Sequence, residues 1–263
     1  LLLNQSHIIK TYEWVILGIF IGLGCMIDGK ILIFTGLFLL YETFSPKLSS
    51  QWIKNRLLIL LGIFLIIFSV GLRNKIVGGS WVWITAQSGL SFFAGNNPTA
   101  TGVYAHPSFM RPDHQSQDED QIIIAQQMSG KKLNDKEVSQ FWFNQGLNFL
   151  KQNPVQFLTL LKNKFIYFFQ DAEDSWDIDL LLERNWKYKW DFNPFWMACP
   201  LALLGIFYSL TQNKREHIYP LLLLLSQLIF TLIFFLTNRH RTVVLPIFII
   251  YAAKAIQFYS KII

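Results

Sequence analysis

Cysteine is nearly absent from this 263-residue chain: the two present, Cys25 and Cys199, both fall inside apolar runs. That excludes a disulfide framework and a cysteine-based zinc site, and leaves both thiols as packing residues. Charge is scarce too, at 15% of residues, and acidic side chains (17) are fewer than basic ones (23). A basic stripe on a soluble face and any recognised DNA- or RNA-binding module are missing, so nucleic acid is excluded as a partner. No 20-to-50-residue repeat, low-complexity segment or Gly-rich strand-to-helix turn is found, which removes repeat architectures and nucleotide-binding α/β domains. The first apolar run lacks a small-residue cleavage site, so no signal peptide is indicated, and the leading Leu points to a truncated N-terminus.

Apolar sequence is abundant. Hydrophobic residues make up 52% and aromatics 16%, with 24 Phe and a mean hydropathy of +0.33, too apolar for an ordinary soluble domain. Apolar runs at 12–27 and 31–41 flank Asp28-Gly29-Lys30. An ionised pair in mid-bilayer costs roughly 2.5–3.5 kcal/mol per residue, so the two runs read as a hairpin with Asp28 and Lys30 at its tip. Gly18 and Gly22, four apart, permit close helix approach in lipid. Further runs at 57–72, 192–210, 218–237 and 243–259 bring the total to about six. The fold class is an all-α polytopic membrane protein of about six transmembrane helices, with a mainly helical external domain between the third and fourth. Its parts are 1–72 (helices 1–3), 73–191 (external) and 192–263 (helices 4–6).

Short-loop charge sets the orientation, because Lys and Arg are retained in the cytoplasm. Placing the N-terminus, the 42–56 and 211–217 links and the C-terminus inside collects Lys10, Lys47, Lys54, Arg56, Lys214, Arg215 and Lys261. The opposite choice collects Lys30, Arg239 and Arg241. Residues 73–191 are therefore external, carrying 12 Lys plus Arg against 13 Asp plus Glu, so the net +6 belongs to the membrane part. Within that region Asn134 and Glu137 form a capping box, Asn153-Pro154 ends one helix and starts the next, and Asp118-Glu119-Asp120 favours a helix N-terminus. In the second of these helices Phe157, Leu160, Leu161, Phe165, Phe168 and Phe169 are set against Lys162, Asn163 and Lys164. Trp81, Trp83, Phe92 and Phe93 suit an amphipathic element at the lipid headgroups.

Arg73 at the end of the third run is followed by a polar stretch with the turn Gly95-Asn96-Asn97-Pro98 and then Ala100 and Gly102. Near the C-terminus stand Arg239, Arg241 and Pro246, an Arg-x-Arg-x-x-x-x-Pro pattern. Together these resemble the membrane-embedded glycosyltransferases of the GT-C class, related to the protein mannosyltransferases and the lipid A aminoarabinose transferase, over the second half of their membrane module. The resemblance implies transfer of a sugar from a polyprenyl-phosphate donor to an acceptor at the outer membrane face, with no cofactor. It implies a bacterial cytoplasmic-membrane location and membrane lipids as further partners. Its catalytic base would lie in an external loop preceding residue 1; the family's arginine near the first hairpin is replaced by Lys30, and no base is assigned.

Candidate donor-phosphate ligands are Arg239 and Arg241, with Arg73 and Lys30 if their helix ends converge. Two guanidinium forks can clamp a phosphate as a lysine cannot, and interfacial anchoring is the competing reading. The candidate substrate loop comprises Asn96, Asn97 and His106, the two asparagines also serving simply as turn formers. Asp177-Ile178-Asp179 has the Asp-x-Asp spacing of metal-dependent sugar transferases, but those enzymes need a nucleotide-binding α/β domain that this sequence lacks, so Asp171 to Glu183 reads as a solvated acidic loop. His106, Asp113 and His114 lack a third regularly spaced ligand, so no metal site is assigned. A transporter subunit or a noncatalytic scaffold in envelope polysaccharide assembly remain the alternative functions.

Overall fold

The computed structural model describes residues 10–44, 50–104, 107–111, 114–170, 194–212 and 217–260. Among these it is all-helical, with ten helices and no strand beyond one isolated bridge. The chain divides into two compact units, Leu1–Ala86 and Gln87–Ile263.

The first unit holds α1 (Thr11–Ile27), α2 (Lys30–Thr43) and α3 (Ser50–Gly78). The Glu13 carboxylate accepts from the Lys10 N–H and so caps α1. At the hairpin tip Asp28 accepts from the backbone N–H of Lys30 and pairs with its ammonium at 3.1 Å, neutralising the charges that interrupt the apolar sequence. The predicted 42–56 link is shorter than expected, because α3 begins at Ser50. Arg56 lies within α3, ion-paired to Glu42 at 3.0 Å and stacked on Trp52, which removes the reason to leave it in a loop.

α1 packs chiefly on α3, and Gly18 with Gly62 lets the backbones touch: a Cβ on Gly18 would strike the Ile59 carbonyl, and one on Gly62 the Val15 carbonyl. The outer faces stay apolar and exposed, including Phe20, Leu57 and Phe64. Trp81 and Trp83 stack on one another 5.1 Å apart and reach Phe68.

The second unit contains α4 (Ser88–Gly95), α5 (His114–Ser129), α6 (Asp135–Gln152), α7 (Pro154–Phe169), α8 (Pro194–Thr211), α9 (Ile218–Ile233) and α10 (Asn238–Tyr259). α4 to α6 form one core around Trp142, whose indole N–H donates to the Gln121 carbonyl. The capping box of Asn134 and Glu137 is present, and α6 stops one residue before Asn153. Phe92 and Phe93, expected at the lipid headgroups, are instead packed inside: Phe92 lies 4.6 Å from Phe143 and Phe93 lies 5.0 Å from Trp142. Ring burial against α6 outweighs interfacial exposure. α8 and α10 pack through small residues, Ala202, Gly205 and Ala255, with Gly205 against the Tyr251 carbonyl.

Two helical segments, Gln51–Gly78 and Thr242–Tyr259, are long and apolar enough to cross a membrane; Thr11–Ile27, Met197–Thr211 and Ile218–Ile233 are shorter apolar helices. The predicted 218–237 span ends four residues early, and Arg239 and Arg241 sit in the first turn of α10 rather than in a loop before it.

The glycine contact in the first unit yields a stability test. Gly62→Leu should destabilise the detergent-solubilised chain by about 1–3 kcal/mol, the usual cost of overpacking. Gly36→Leu should not, because nothing lies within 4 Å of that position. Equal melting temperatures for the two variants would contradict the packing.

Candidate functional site

α9 stops at Ile233, and its last carbonyls have no partner within the helix. Two side chains from elsewhere supply donors. Asn96, at the end of α4, donates from Nδ2 to the Ile233 carbonyl at 2.7 Å and to the Phe92 carbonyl at 2.8 Å. Lys164, from the middle of α7, donates from Nζ to the Leu232 carbonyl at 3.2 Å and to Asn96 Oδ1 at 3.1 Å. Asn96 is 1% exposed and Lys164 0%. A cation at a helix C-terminus is favoured by the dipole, whereas burial opposes it. Burial pushes the Lys164 ammonium down to about 7.

The chain following Asn96 is fixed to the chain following α9. Gly95 lies directly against the Phe234 carbonyl, with no room for a side chain. Leu236 N–H donates to the Gly102 carbonyl at 3.1 Å and Tyr104 N–H to the Leu236 carbonyl at 3.0 Å, giving the parallel bridge between Val103 and Leu236. Gly102 has φ +113° and lies against the backbone of Lys164, so a side chain there would be both strained and crowded. Thr237 then adopts an extended conformation and α10 starts at Asn238. The first of the motifs that carry the resemblance is thus tied by backbone hydrogen bonds to Leu236, three residues before Arg239.

Asn97 behaves differently from Asn96. Its Nδ2 donates to the Phe93 and Ala94 carbonyls, and its Oδ1 accepts from the Thr99 N–H and hydroxyl. All four of its usual bonding positions are committed to closing α4, so Asn97 is a turn former in this arrangement. His240 lies between the two arginines in sequence and is buried, its ring 5.0 Å from Phe230. The Thr231 and Thr237 hydroxyls on either side of this junction are buried without a hydrogen-bond partner among the described residues.

Lys30 and Arg73 belong to the first unit; Lys30 pairs with Asp28, and Arg73 is exposed and donates to Asn74. His106, Asp113 and the acidic run from Asp171 to Glu183 lie outside the described residues. Among the described residues no group of three His, Cys, Asp or Glu could hold a metal ion.

Lys164 is the residue that sequence reasoning misplaced, by setting it on the polar face of α7. The signal was available: Leu160, Lys164 and Phe168 recur at intervals of four, and all three are buried. The lysine therefore lies on the apolar stripe.

The depressed Lys164 pKa has a signed consequence. The unfolded lysine holds its proton to about pH 10.4, whereas the folded one releases it near pH 7. Between those values the unfolded state binds more protons, so folding stability attributable to Lys164 rises with pH. The stability of the native chain relative to Lys164→Met should therefore increase from pH 7 to pH 9.5 in thermal or denaturant unfolding. A difference independent of pH would show that Lys164 stays charged.

Comparison with known proteins returns no match: no family model, no curated protein and no solved structure matches the chain.

Proposed function

We propose that the chain is part of an integral-membrane glycosyltransferase that moves a sugar from a polyprenyl-phosphate donor to an acceptor at the external membrane face. The observation that carries this reading is the junction of 95–104 with 232–237, which fixes where α10 begins. The first turn of α10 places backbone N–H groups and the positive end of a helix dipole beside the positions of Arg239 and Arg241. That combination suits the phosphate of a lipid-linked sugar at a membrane boundary. Asn96 and Lys164 act as positioning residues that hold the junction.

In this reading α1, α2, α3, α8, α9 and α10 cross the membrane, with α4 to α7 on the outer side. The acceptor oxygen attacks the anomeric carbon as the bond from that carbon to the phosphate oxygen breaks. Charge then builds on the departing phosphate, and two guanidinium groups offset it more strongly as it develops. No residue is assigned as the base that takes the acceptor proton.

Arginine and lysine differ in ways that test the clamp. Arg239→Lys and Arg241→Lys in the full-length protein keep the charge but lose the planar fork. Each should lower kcat/KM about tenfold or more, the worth of a charged hydrogen bond, while leaving the amount inserted in the membrane unchanged. Unchanged turnover in both variants would leave the arginines as interfacial anchors and remove the proposal's main support.

A further inference from the structure

α7 changes character along its length. Its amide, ammonium and threonine side chains, Gln156, Thr159, Lys162, Asn163 and Lys164, all come before residue 165, and the helix then closes on Phe165-Ile166-Tyr167-Phe168-Phe169. A helical turn that is apolar all round is covered by protein or by lipid. Protein covers one side of this one: Phe168 is 1% exposed, whereas Phe165 is 49% and Ile166 37% exposed. Leu158, seven residues before Phe165, and Val155, eleven before Ile166, continue the open face toward the helix start.

The covered side gives the depth. Phe168 belongs to the core that α8, α9 and α10 build around Ala202, Leu224 and Tyr251. Phe169 stacks on Phe248, with ring centroids 6.3 Å apart and planes 18° apart. Phe248 stands ten residues after Asn238, the first residue of α10. At 1.5 Å per residue that is about 15 Å along the helix, half of the ~30 Å thickness of a bilayer core. It also lies inside Thr242–Tyr259, a segment long and apolar enough to cross a membrane. Lys164, five residues before Phe169, bonds instead at the Leu232 carbonyl, next to the end of α9. α7 therefore descends along α10 from the level of the junction, and its last turn reaches the middle of that segment.

We propose that α7 is a re-entrant helix, entering the bilayer from the outer side without crossing it, with Phe165 and Ile166 in contact with lipid acyl chains. Acyl chains are the occupant because the end of α7 sits beside a mid-span residue whose own neighbours, Ile249 and Ile250, are exposed and apolar in the same way. Lys162 is exposed one turn before Ile166, on the same face, where its apolar stem covers that face and its ammonium reaches the headgroups. The inference rests on α10 crossing the membrane and does not depend on sugar transfer.

Spin labelling tests this on the full chain reconstituted in vesicles of phosphatidylglycerol and phosphatidylcholine, with Cys25 and Cys199 replaced by alanine. Nitroxides are attached through Phe165→Cys, Ile166→Cys, Ile249→Cys and Lys136→Cys, all at exposed positions, the last in the first turn of α6. Their relaxation is read with oxygen, which concentrates in hydrocarbon, and with a nickel chelate, which stays in water. Oxygen should dominate at Phe165 and Ile166, as at Ile249, and nickel at Lys136. Two adjacent positions guard against a distortion caused by one label. Nickel dominating at Phe165 and Ile166, with oxygen dominating at Ile249, overturns the re-entrant helix alone. Nickel dominating at Ile249 as well removes the span of α10, and the proposal falls with it. Weak relaxation by both reagents at Phe165 and Ile166 shows that protein covers the face, a second copy included, and overturns the lipid contact. Sugar transfer is not read in this experiment, so an aqueous result confined to α7 leaves the transferase reading standing.

Discussion

A buried lysine and a buried asparagine cap the open end of α9, and the arrangement around them follows from that requirement. A helix that ends inside protein must find donors for its last carbonyls or lose the desolvation free energy of each, about 1–3 kcal/mol. Lys164 and Asn96 provide those donors at Leu232 and Ile233, from two elements distant in sequence. Meeting the need forces α4, α7 and the end of α9 together. The strand-like pairing of 102–104 with Leu236 follows, and with it the direction in which α10 departs.

The same constraint explains which features were legible beforehand. Apolar run lengths located α1, α2, α8, α9 and α10, and capping chemistry at Asn134 and proline at 154 located α6 and α7. Helix ends were less legible. The charges of Lys54 and Arg56 suggested a loop, but Arg56 is neutralised by Glu42 and shielded by Trp52, so α3 runs through it. The apolar residues from Phe234 to Leu236 suggested a longer span, but extended pairing with 102–104 competed with helix.

The site was half legible. The Asn96-Asn97 turn and the Arg239-Arg241 pattern were visible as separate motifs, yet nothing local said that the first is tied to the residues just before the second, because that link runs through long-range hydrogen bonds. Local chemistry did identify Asn97 as a turn former, since its partners are all within four residues. Asn96 and Lys164 owe their roles to partners 68 residues apart and to the α9 carbonyls, and a rule that places lysine on polar faces conceals such a contact.

The central claim is that the Asn96–Lys164 cap sets the arginine turn of α10 for phosphate. A double-mutant cycle on binding of a polyprenyl monophosphate tests it, comparing the unaltered chain, Asn96→Ala, Arg241→Lys and the pair. The account requires coupling: once the cap is lost, replacing the arginine should matter less, with an interaction energy of about 0.5–3 kcal/mol. Strict additivity of the two substitutions would contradict it, because the cap and the arginine turn would then act independently.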